Sequence, residues 1–299
     1  MERVHSDRSE QLYQLYKPLL FSLAYRMLGS VSDAEDIVQE AFLSWSERRP
    51  ETVLNEKAYL CKMVTNRCVD RLRSPGKQRE VYVGPWLPEP LITEALDSDS
   101  PSGAYLQKES LSTAYLLLLQ QLSWVERAVF ILREVLQYEY DEIAEIVDKS
   151  SSNCRQIFHR AKRSVSGLSG MADTVPLKSE SLKALIEQFI HAVASGNTGQ
   201  LMNLLKADVS MHSDGGGKVT AAVRPILGAD RVIAFLMGIA SKAPADMSFR
   251  IQMVNGNPGI VSYIGEQPSS VITFRMENDR IAEIYIVVNP DKLKHLPQR

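Results

Sequence analysis

The stretch from Ser151 to Arg163, SSNCRQIFHRAKR, carries several basic side chains and no acidic one. Its apolar residues recur at helical spacing, which predicts a helix with one face in a core and its basic side chains available to a partner. A short amphipathic segment, Tyr140 to Val147, precedes it across the break Asp148-Lys149-Ser150. Two helices joined by a short turn, the second of them basic, are the sequence form of a helix-turn-helix. The sequence therefore predicts a DNA-binding element here.

Length and charge limit what surrounds this element. A chain of 299 residues exceeds an ordinary single domain, so two or three domains are expected. The formal net charge of −2 means that any nucleic-acid surface must be local. No apolar run is long enough to span a membrane, and the polar N-terminus shows no signal peptide. The sequence therefore predicts a cytoplasmic protein with no membrane contact.

The cysteines Cys61, Cys68 and Cys154 are scattered singly along the chain. No CxxC pair and no paired Cys/His spacing suggests zinc or a disulfide framework. Buried free thiols in a reducing compartment are the expectation. The sequence predicts no metal and no cofactor.

An acidic helix is predicted in the N-terminal part. The residues S-D-A-E from Ser32 to Glu35 form a capping-box sequence, with Ser32 at the cap. Acidic side chains then recur at helical spacing on one face, at Asp33, Asp36 and Glu40. Two interpretations stay open from the residues alone. The acids either form a solvated face that the helix dipole favours, or they dock a basic partner.

A basic helix is predicted next, from Lys57 to Arg73, with Asp70 as its one acid after Lys57. Its local surplus of positive charge suits a track along nucleic-acid phosphates, although a solvated helix has the same composition. The basic side chains are Lys62, Arg67, Arg71 and Arg73. Charge alone does not separate double-stranded from single-stranded DNA.

These motifs resemble a known family. D-A-E-D-I-V-Q-E-A-F at 33–42, then K-A-Y-L, then N-R-C-V-D-R-L-R at 66–73, resemble region two of bacterial sigma factors of the extracytoplasmic-function type. The helix-turn-helix and its lead-in, where Ser123 and Glu126 make another capping box, resemble region four of the same family. The resemblance covers residues from about 10 to 168. It implies promoter recognition and transcription initiation by a chain that is not an enzyme.

The resemblance also implies partners and site residues. The partners would be core RNA polymerase, at its clamp and flap regions, and promoter DNA, at the minus-ten and minus-thirty-five elements. The polymerase-binding residues would be Asp33, Asp36, Gln39 and Glu40. Asn66 and its helix would capture bases of the melted minus-ten element, as a basic groove with polar side chains can. Positions that reach bases of the minus-thirty-five element fall on Arg155, Gln156, His159 and Arg160, while Lys162 and Arg163 suit phosphates.

One departure from the family pattern is Asp148, which stands where the family usually has glycine in the turn. Aspartate tolerates the left-handed conformation better than most residues.

A composition break follows the basic helix. Glycine, proline and acidic residues predict an extended linker over 81–108, which contains V-G-P-W-L-P-E-P. Trp86 between prolines is expected to pack on a neighbouring domain or to contact a partner, since an indole is rarely left fully in water. The predicted boundaries are 1–80 for region two, 81–108 for this linker, 109–168 for region four, 169–178 for a second linker and 179–299 for a final domain.

The final domain is predicted as helices followed by a long antiparallel meander, an α+β arrangement. The order resembles a SnoaL-like cone-shaped barrel. The fold class is thus multidomain, with two all-α sigma domains (a helical bundle and a helix-turn-helix) before an α+β barrel. W-L-P-E-P, D-G-G-G-K and N-P-D-K-L together resemble the sigma subgroup with a fused SnoaL-like extension. This implies a built-in regulator whose contacts involve Trp86, Leu87, Pro88, Asp214, Gly215, Gly216, Gly217, Lys218, Asn289, Pro290, Asp291, Lys292 and Leu293.

Two alternatives stay open. One is a stand-alone helix-turn-helix regulator with a ligand-sensing domain, and a small-molecule ligand of the C-terminal pocket is considered in either case. The other is a SnoaL-like enzyme fused to a DNA-binding module. Its candidate residues are His191, Asp208, His212, Asp214 and Arg224, but no pair has a spacing that dictates chemistry, and fold does not imply function.

Overall fold

The structure is a computed structural model that describes residues 2–48, 53, 55–74, 82–93, 111–168 and 179–299. The chain divides into two compact units. Among the described residues, the first unit holds 2–74, Leu111 and 115–168, and the second holds 82–93, 112–114 and 179–299. Residues 94–108 of the first predicted linker and the whole second linker, 169–178, lie outside the described residues.

Three helices begin the first unit: α1 (Glu2–Leu28), α2 (Val31–Arg48) and α3 (Glu56–Arg73). The start of α2 differs from the prediction. Ser30, and not Ser32, caps the helix, because its Oγ accepts from the Asp33 N–H at 3.1 Å. The predicted capping box starting at Ser32 was therefore wrong by two residues. Asn55 caps α3 in the same manner, with Oδ1 accepting from the Ala58 N–H at 3.0 Å.

Four further helices follow: α4 (Thr113–Gln120), α5 (Trp124–Phe130), α6 (Tyr140–Val147) and α7 (Ser151–Leu168). A π-helical turn, Ile131–Val135, extends α5. The capping box predicted at the start of α5 is present in both directions, between Ser123 and Glu126. Asp148 ends α6 with φ 55° and ψ 53°, the left-handed conformation expected at the position where the family usually has glycine.

A buried arginine joins early and late parts of the first unit. Arg127 on α5 is 4% exposed, and its guanidinium donates to the carbonyl oxygens of Met27, Gln120 and Leu122. It also donates to the Gln120 side-chain oxygen at 2.9 Å. Burial lowers the pKa of Arg127 to about 10, the direction expected for a cation removed from water.

The second unit is an α+β domain built on one six-stranded sheet with the order β2-β1-β6-β5-β4-β3. Its strands are β1 (Leu205–Asp214), β2 (Ile226–Leu227), β3 (Met247–Val254), β4 (Asn257–Ile264), β5 (Gln267–Glu277) and β6 (Arg280–Val287). Its helices are α8 (Ser179–Ala194), α9 (Thr198–Leu204) and α10 (Ala229–Ala240), and a 3₁₀ turn, Pro290–Lys292, follows β6. The α+β class of the prediction is confirmed.

The meander is antiparallel from β3 to β6, as predicted, but β6 then pairs with β1 in parallel. The sequence prediction missed this pairing and the short strand β2. A parallel pair requires a long crossover between its strands, and here the crossover consists of α10 and the four strands β2 to β5.

The two faces of β1 have different roles. Val209 and Met211 point into the core that packs under the helices. Ser210, His212 and Asp214 alternate with them and therefore lie on the other face of the sheet. In this way β1 presents Asp214 on the face away from the helices.

Candidate functional site

The predicted polymerase-binding acids and two of the predicted DNA-binding arginines lie against each other. Arg67 on α3 contacts Glu40 on α2 at 3.3 Å and donates to the Ser44 hydroxyl at 2.5 Å. Arg71, one turn further along α3, lies 3.3 Å from Asp33 and 3.9 Å from Asp36. The two predicted surfaces of region two therefore meet along one seam, which the sequence prediction did not anticipate.

The remaining predicted residues of these helices face outward. Gln39 and Asn66 are exposed, and Lys62 is half-buried with no acidic partner among the described residues. Arg73 is exposed and stacks over the Trp124 ring at 3.8 Å. Asn66, Arg73 and Trp124 line a cleft of about 380 Å³ within the first unit.

The helix α7 buries its apolar stripe and presents the basic side chains outward. Cys154, Ile157, Phe158 and Ala161 are buried. The six predicted DNA-contacting residues are all exposed: Arg155, Gln156, His159, Arg160, Lys162 and Arg163. Ser150 precedes the helix and caps it, since its Oγ accepts from the Asn153 N–H at 3.3 Å.

Three of the exposed cations on α7 have neighbours within the first unit. Arg160 Nε donates to Glu126 Oε1 at 2.6 Å, and Lys162 Nζ donates to Glu134 Oε1 at 3.0 Å. The Arg155 guanidinium lies 5.3 Å from the centre of the Tyr140 ring. The pKa of Glu126 is lowered, chiefly by the hydrogen bond from the Ser123 hydroxyl and further by Arg160.

In the second unit, Asp214 is fully buried and holds the segment 82–93 to the sheet. Its carboxylate accepts from the Tyr82 hydroxyl at 2.5 Å and from the Leu87 N–H at 2.7 Å. It also forms a salt bridge of 2.8 Å with Lys292, which is 8% exposed on its side chain. Three donors on a buried carboxylate satisfy it in the way that a buried charge requires.

Lys292 completes the same contact from the other side. Its ammonium donates to the Leu87 carbonyl and lies 4.2 Å from the centre of the Trp86 ring, with the Tyr82 ring at 4.9 Å. An ammonium over an indole face is attracted by the ring quadrupole, more strongly where water is excluded. Burial and the hydrogen bond to Asp214 raise the pKa of Tyr82, so this hydroxyl stays protonated as a donor.

The glycines after Asp214 allow the loop to approach the linker closely. Gly217 has φ +71°, and a Cβ added there would lie 3.1 Å from the Val83 side chain. Gly216 also has positive φ and lies against the Asn289 amide, which donates to Tyr82 at 3.0 Å. Lys218 pairs with Asp291. The hydrogen bonds from Lys218 and Lys294 lower the pKa of Asp291 to about 2.

The other predicted residues of this contact divide between interior and surface. Leu87, Pro88 and Leu293 are buried, whereas Pro290 is exposed. Thus the three motifs W-L-P-E-P, D-G-G-G-K and N-P-D-K-L come together around one buried ion pair. The D-G-G-G-K loop and the 3₁₀ turn hold residues 82–88 between them.

Further contacts of the linker involve residues that the sequence analysis did not select. Asn255 Oδ1 accepts from the Leu91 N–H at 2.8 Å, and His295 Nε2 lies 2.7 Å from the Pro90 carbonyl. Thr93 donates its N–H to the Met253 carbonyl at 2.9 Å. Asn255 precedes Gly256 in a hairpin turn, and nothing in a turn sequence indicates that its side chain binds a distant segment.

The candidate catalytic residues do not form a group. His191 and Arg224 are exposed, and Asp208 pairs with Lys206 at 3.6 Å on the surface. His212 lies 3.2 Å from Ser210 and stacks on Tyr285, and its pKa is lowered by burial. No hydrogen bond or ion pair within the described part of the chain joins any two of the five candidates.

Two further observations concern metal ions and membranes. Within the described residues, no group of three or more His, Cys, Asp or Glu side chains could hold a metal ion. No described helix combines the length and the apolar character that crossing a membrane requires.

Comparison with known sequences matches both halves of the first unit. Residues 12–78 match the family Sigma-70 region 2, and residues 112–165 match Sigma-70, region 4. The ECF RNA polymerase sigma factor SigJ of Mycobacterium tuberculosis is 30% identical over 95% of this chain and 93% of its own length. The probable ECF RNA polymerase sigma factor SigI of the same species is 27% identical over 97% of this chain and 96% of its own length.

A solved structure extends the likeness to the whole chain. The crystal structure of the M. tuberculosis extracytoplasmic function sigma factor SigJ superimposes with a TM-score of 0.77 at 27% identity, covering 97% of this chain and 99% of that one. The comparisons support neither the stand-alone regulator nor the fused enzyme. Two sigma regions in order, the exposed basic helix α7 and a relative at 30% identity over nearly the full length lead to one conclusion: the chain belongs to the extracytoplasmic-function family of RNA polymerase sigma factors.

Proposed function

We propose that this sigma factor binds core RNA polymerase through the acidic face of α2 and places α7 on the minus-thirty-five element of a promoter. The observation that carries the proposal is the exposure of all six predicted DNA-contacting side chains of α7 over a fully buried apolar stripe. A recognition helix of this form presents several side chains at once to the major groove. Arg155 and Arg160 suit guanine, and Gln156 suits adenine.

The acidic face of α2 supports the polymerase contact. Asp36, Gln39 and Glu40 are exposed, and Asp33 lies beside them. A patch of like charge steers a partner of opposite charge and fixes its orientation. Arg67 pairs with Glu40, and Arg71 pairs with Asp33. We therefore assign both arginines to positioning these carboxylates as well as to contacting DNA phosphates.

Asn66 and Lys62 are proposed to act on the minus-ten element. Both lie on the outward side of α3, where an amide can read a base edge and an ammonium can contact phosphate. Arg73 would join them once its contact with the Trp124 ring is exchanged for one with DNA.

We propose that the C-terminal domain regulates transcription in cis and performs no chemistry. Its contacts with residues 82–93 support this, since that segment lies within the predicted linker between the two sigma regions. A domain that binds the linker limits how the two sigma regions can be arranged. A ligand or partner of that domain could then change promoter binding, which is an allosteric coupling between two sites. We place the protein in the cytoplasm, where its partners are.

The proposal is tested by transcription from a random promoter library with core polymerase and the full chain. Sequencing the templates of the transcripts should reveal two conserved blocks separated by a fixed spacing. Omitting the protein should abolish both blocks. A library in which the protein enriches no block would refute promoter recognition.

The acidic face makes a separate prediction. Asp36→Asn combined with Glu40→Gln should weaken binding to core polymerase on the order of tenfold, because two charges worth roughly 0.5–1 kcal/mol each are removed from the interface. Binding can be measured by fluorescence anisotropy of the labelled protein. The matched control is Glu35→Gln, which removes an exposed charge that lies roughly 160° around the helix from Asp33. Equal losses in the control and the test variant would rule out a local docking face.

A further inference from the structure

Glu126 connects the start of α5 to the recognition helix α7. Its Oε1 accepts from Arg160 Nε at 2.6 Å. Its Oε2 accepts from the Ser123 hydroxyl at 2.6 Å and from the Ser123 N–H at 3.2 Å. One carboxylate therefore completes the capping box of α5 and also binds the Arg160 side chain on α7.

The two partners of this pair differ in exposure. The Glu126 side chain is 18% exposed, whereas the Arg160 side chain is 65% exposed. The carboxylate is thus fixed by its cap contacts, and the guanidinium projects from it into the surface that α7 presents. Within the described residues the terminal amino groups of Arg160 have no hydrogen-bond partner, because only Nε is engaged.

This geometry leaves the guanidinium with one edge anchored and the other edge free. Two parallel donors on a fixed plane match the O6 and N7 acceptors of guanine in the major groove. Fixing the plane before binding reduces the conformational entropy that the contact would otherwise lose.

We infer that Glu126 is a positioning residue that orients Arg160 to read one guanine of the minus-thirty-five element. The inference rests on the proposed function of α7. It adds a specificity determinant that lies outside the recognition helix.

A second pair on α7 provides a comparison. Lys162 contacts Glu134 with both partners substantially exposed. A lysine ammonium has no planar fork, so holding it in place does not orient two donors. Glu134 should therefore matter little for the choice of base.

The decisive variant is Glu126→Gln. Glutamine still completes a capping box, so the helix start is retained, while the charge that holds Arg160 is removed. Its base preference is measured with the random promoter library and core polymerase. It is compared with the preferences of wild type, Arg160→Lys and the matched control Glu134→Gln. A bidentate arginine commonly discriminates against a wrong base by about tenfold or more.

We expect the wild type to prefer guanine at one position of the upstream block. Arg160→Lys should weaken that preference, because an ammonium lacks the planar fork of a guanidinium, and the position that changes is assigned to Arg160. Glu126→Gln should reduce it to about two- or threefold while the other positions are unchanged, and Glu134→Gln should keep it in full. The salt dependence of promoter binding should be the same for Glu126→Gln as for wild type, because no phosphate contact is lost.

Two results would overturn the inference and leave promoter recognition intact. One is an unchanged guanine preference in Glu126→Gln. The other is tighter DNA binding by that variant with the preference retained, since this would mean that Glu126 sequesters Arg160 from DNA. If the wild type enriched no block at all, the proposed function and this inference would both fail.

Discussion

Replacing Asp214 by alanine should destabilise the C-terminal unit by about 3–5 kcal/mol, the loss typical of removing one partner from a buried ion pair. Asp214 is fully buried and binds Tyr82, Leu87 and Lys292. Without it the Lys292 ammonium loses the salt bridge to Asp214 while it stays against the Trp86 and Tyr82 rings. The segment 82–93 loses two of its anchors in the same step.

Hydrogen exchange of the full-length chain in increasing denaturant measures this loss for each unit separately. Peptides of the sheet should exchange at a lower denaturant concentration in Asp214→Ala. The amides of Leu91 and Thr93, which donate to Asn255 and Met253, should exchange faster without denaturant. Peptides of α1 to α3 should be unaffected.

Asp291→Ala is the matched control, because Asp291 carries the same charge, precedes Lys292 in the chain and is exposed. It should leave the exchange of the sheet as in wild type. Lys292→Met should resemble Asp214→Ala, and the double variant Asp214→Ala with Lys292→Met should lose less than the sum of the two single changes. Additive losses would show that the two residues do not act as a pair.

Replacing Arg127 by methionine should cost the first unit about 3 kcal/mol. The apolar stem is preserved, but two buried carbonyl oxygens and a partly buried one lose their donor, and each buried loss costs roughly 1–3 kcal/mol. The gain from no longer burying a cation offsets part of this, in line with the lowered pKa of Arg127. Because one of the carbonyls belongs to Met27 at the end of α1, region two and region four should both be affected.

The same exchange experiment measures this effect on peptides of α1 and α4. Arg133→Met is the control, since Arg133 is a partly exposed arginine that forms a surface pair with Glu139. Its effect should be far smaller. If Arg127→Met reduced protection from exchange in α5 alone, Arg127 would not stabilise the contact between the two regions.

Local rules in the sequence predicted the local structure well. Ser123 and Glu126 specified the start of α5, and alternation specified the strands from β3 to β6. The left-handed turn at Asp148 followed from the tolerance of aspartate for that conformation. The error at Ser32 has a local cause as well, because Ser30 and Ser32 are both able to cap and stand two residues apart.

Contacts between distant residues were harder to predict. The pairs Arg67–Glu40 and Arg71–Asp33 depend on how α2 and α3 pack, which no spacing within either helix encodes. The parallel pairing of β1 with β6 likewise joins strands about seventy residues apart, through a crossover of several elements. Asn255 and His295 contact the linker through turns whose sequences serve only the turn.

Trp86 is intermediate between local structure, which the sequence predicted well, and contacts between distant residues, which it did not. Its position among prolines predicted packing against a neighbouring domain, on the ground that an indole is seldom fully solvated. In the structure the ring lies under the Lys292 ammonium. The chemistry of the indole indicated that Trp86 has a partner, but which residue that partner is depends on the fold.

The central claim, that this chain opens promoters as part of RNA polymerase, is tested most directly by permanganate footprinting on a promoter taken from the library. With core polymerase and the protein together, thymines in one downstream block should become reactive, and Asn66→Ala should weaken that reactivity. Core polymerase alone and the protein alone should leave the duplex closed. Protection of the upstream block by the protein without polymerase, with no reactive thymines in any mixture, would contradict the account.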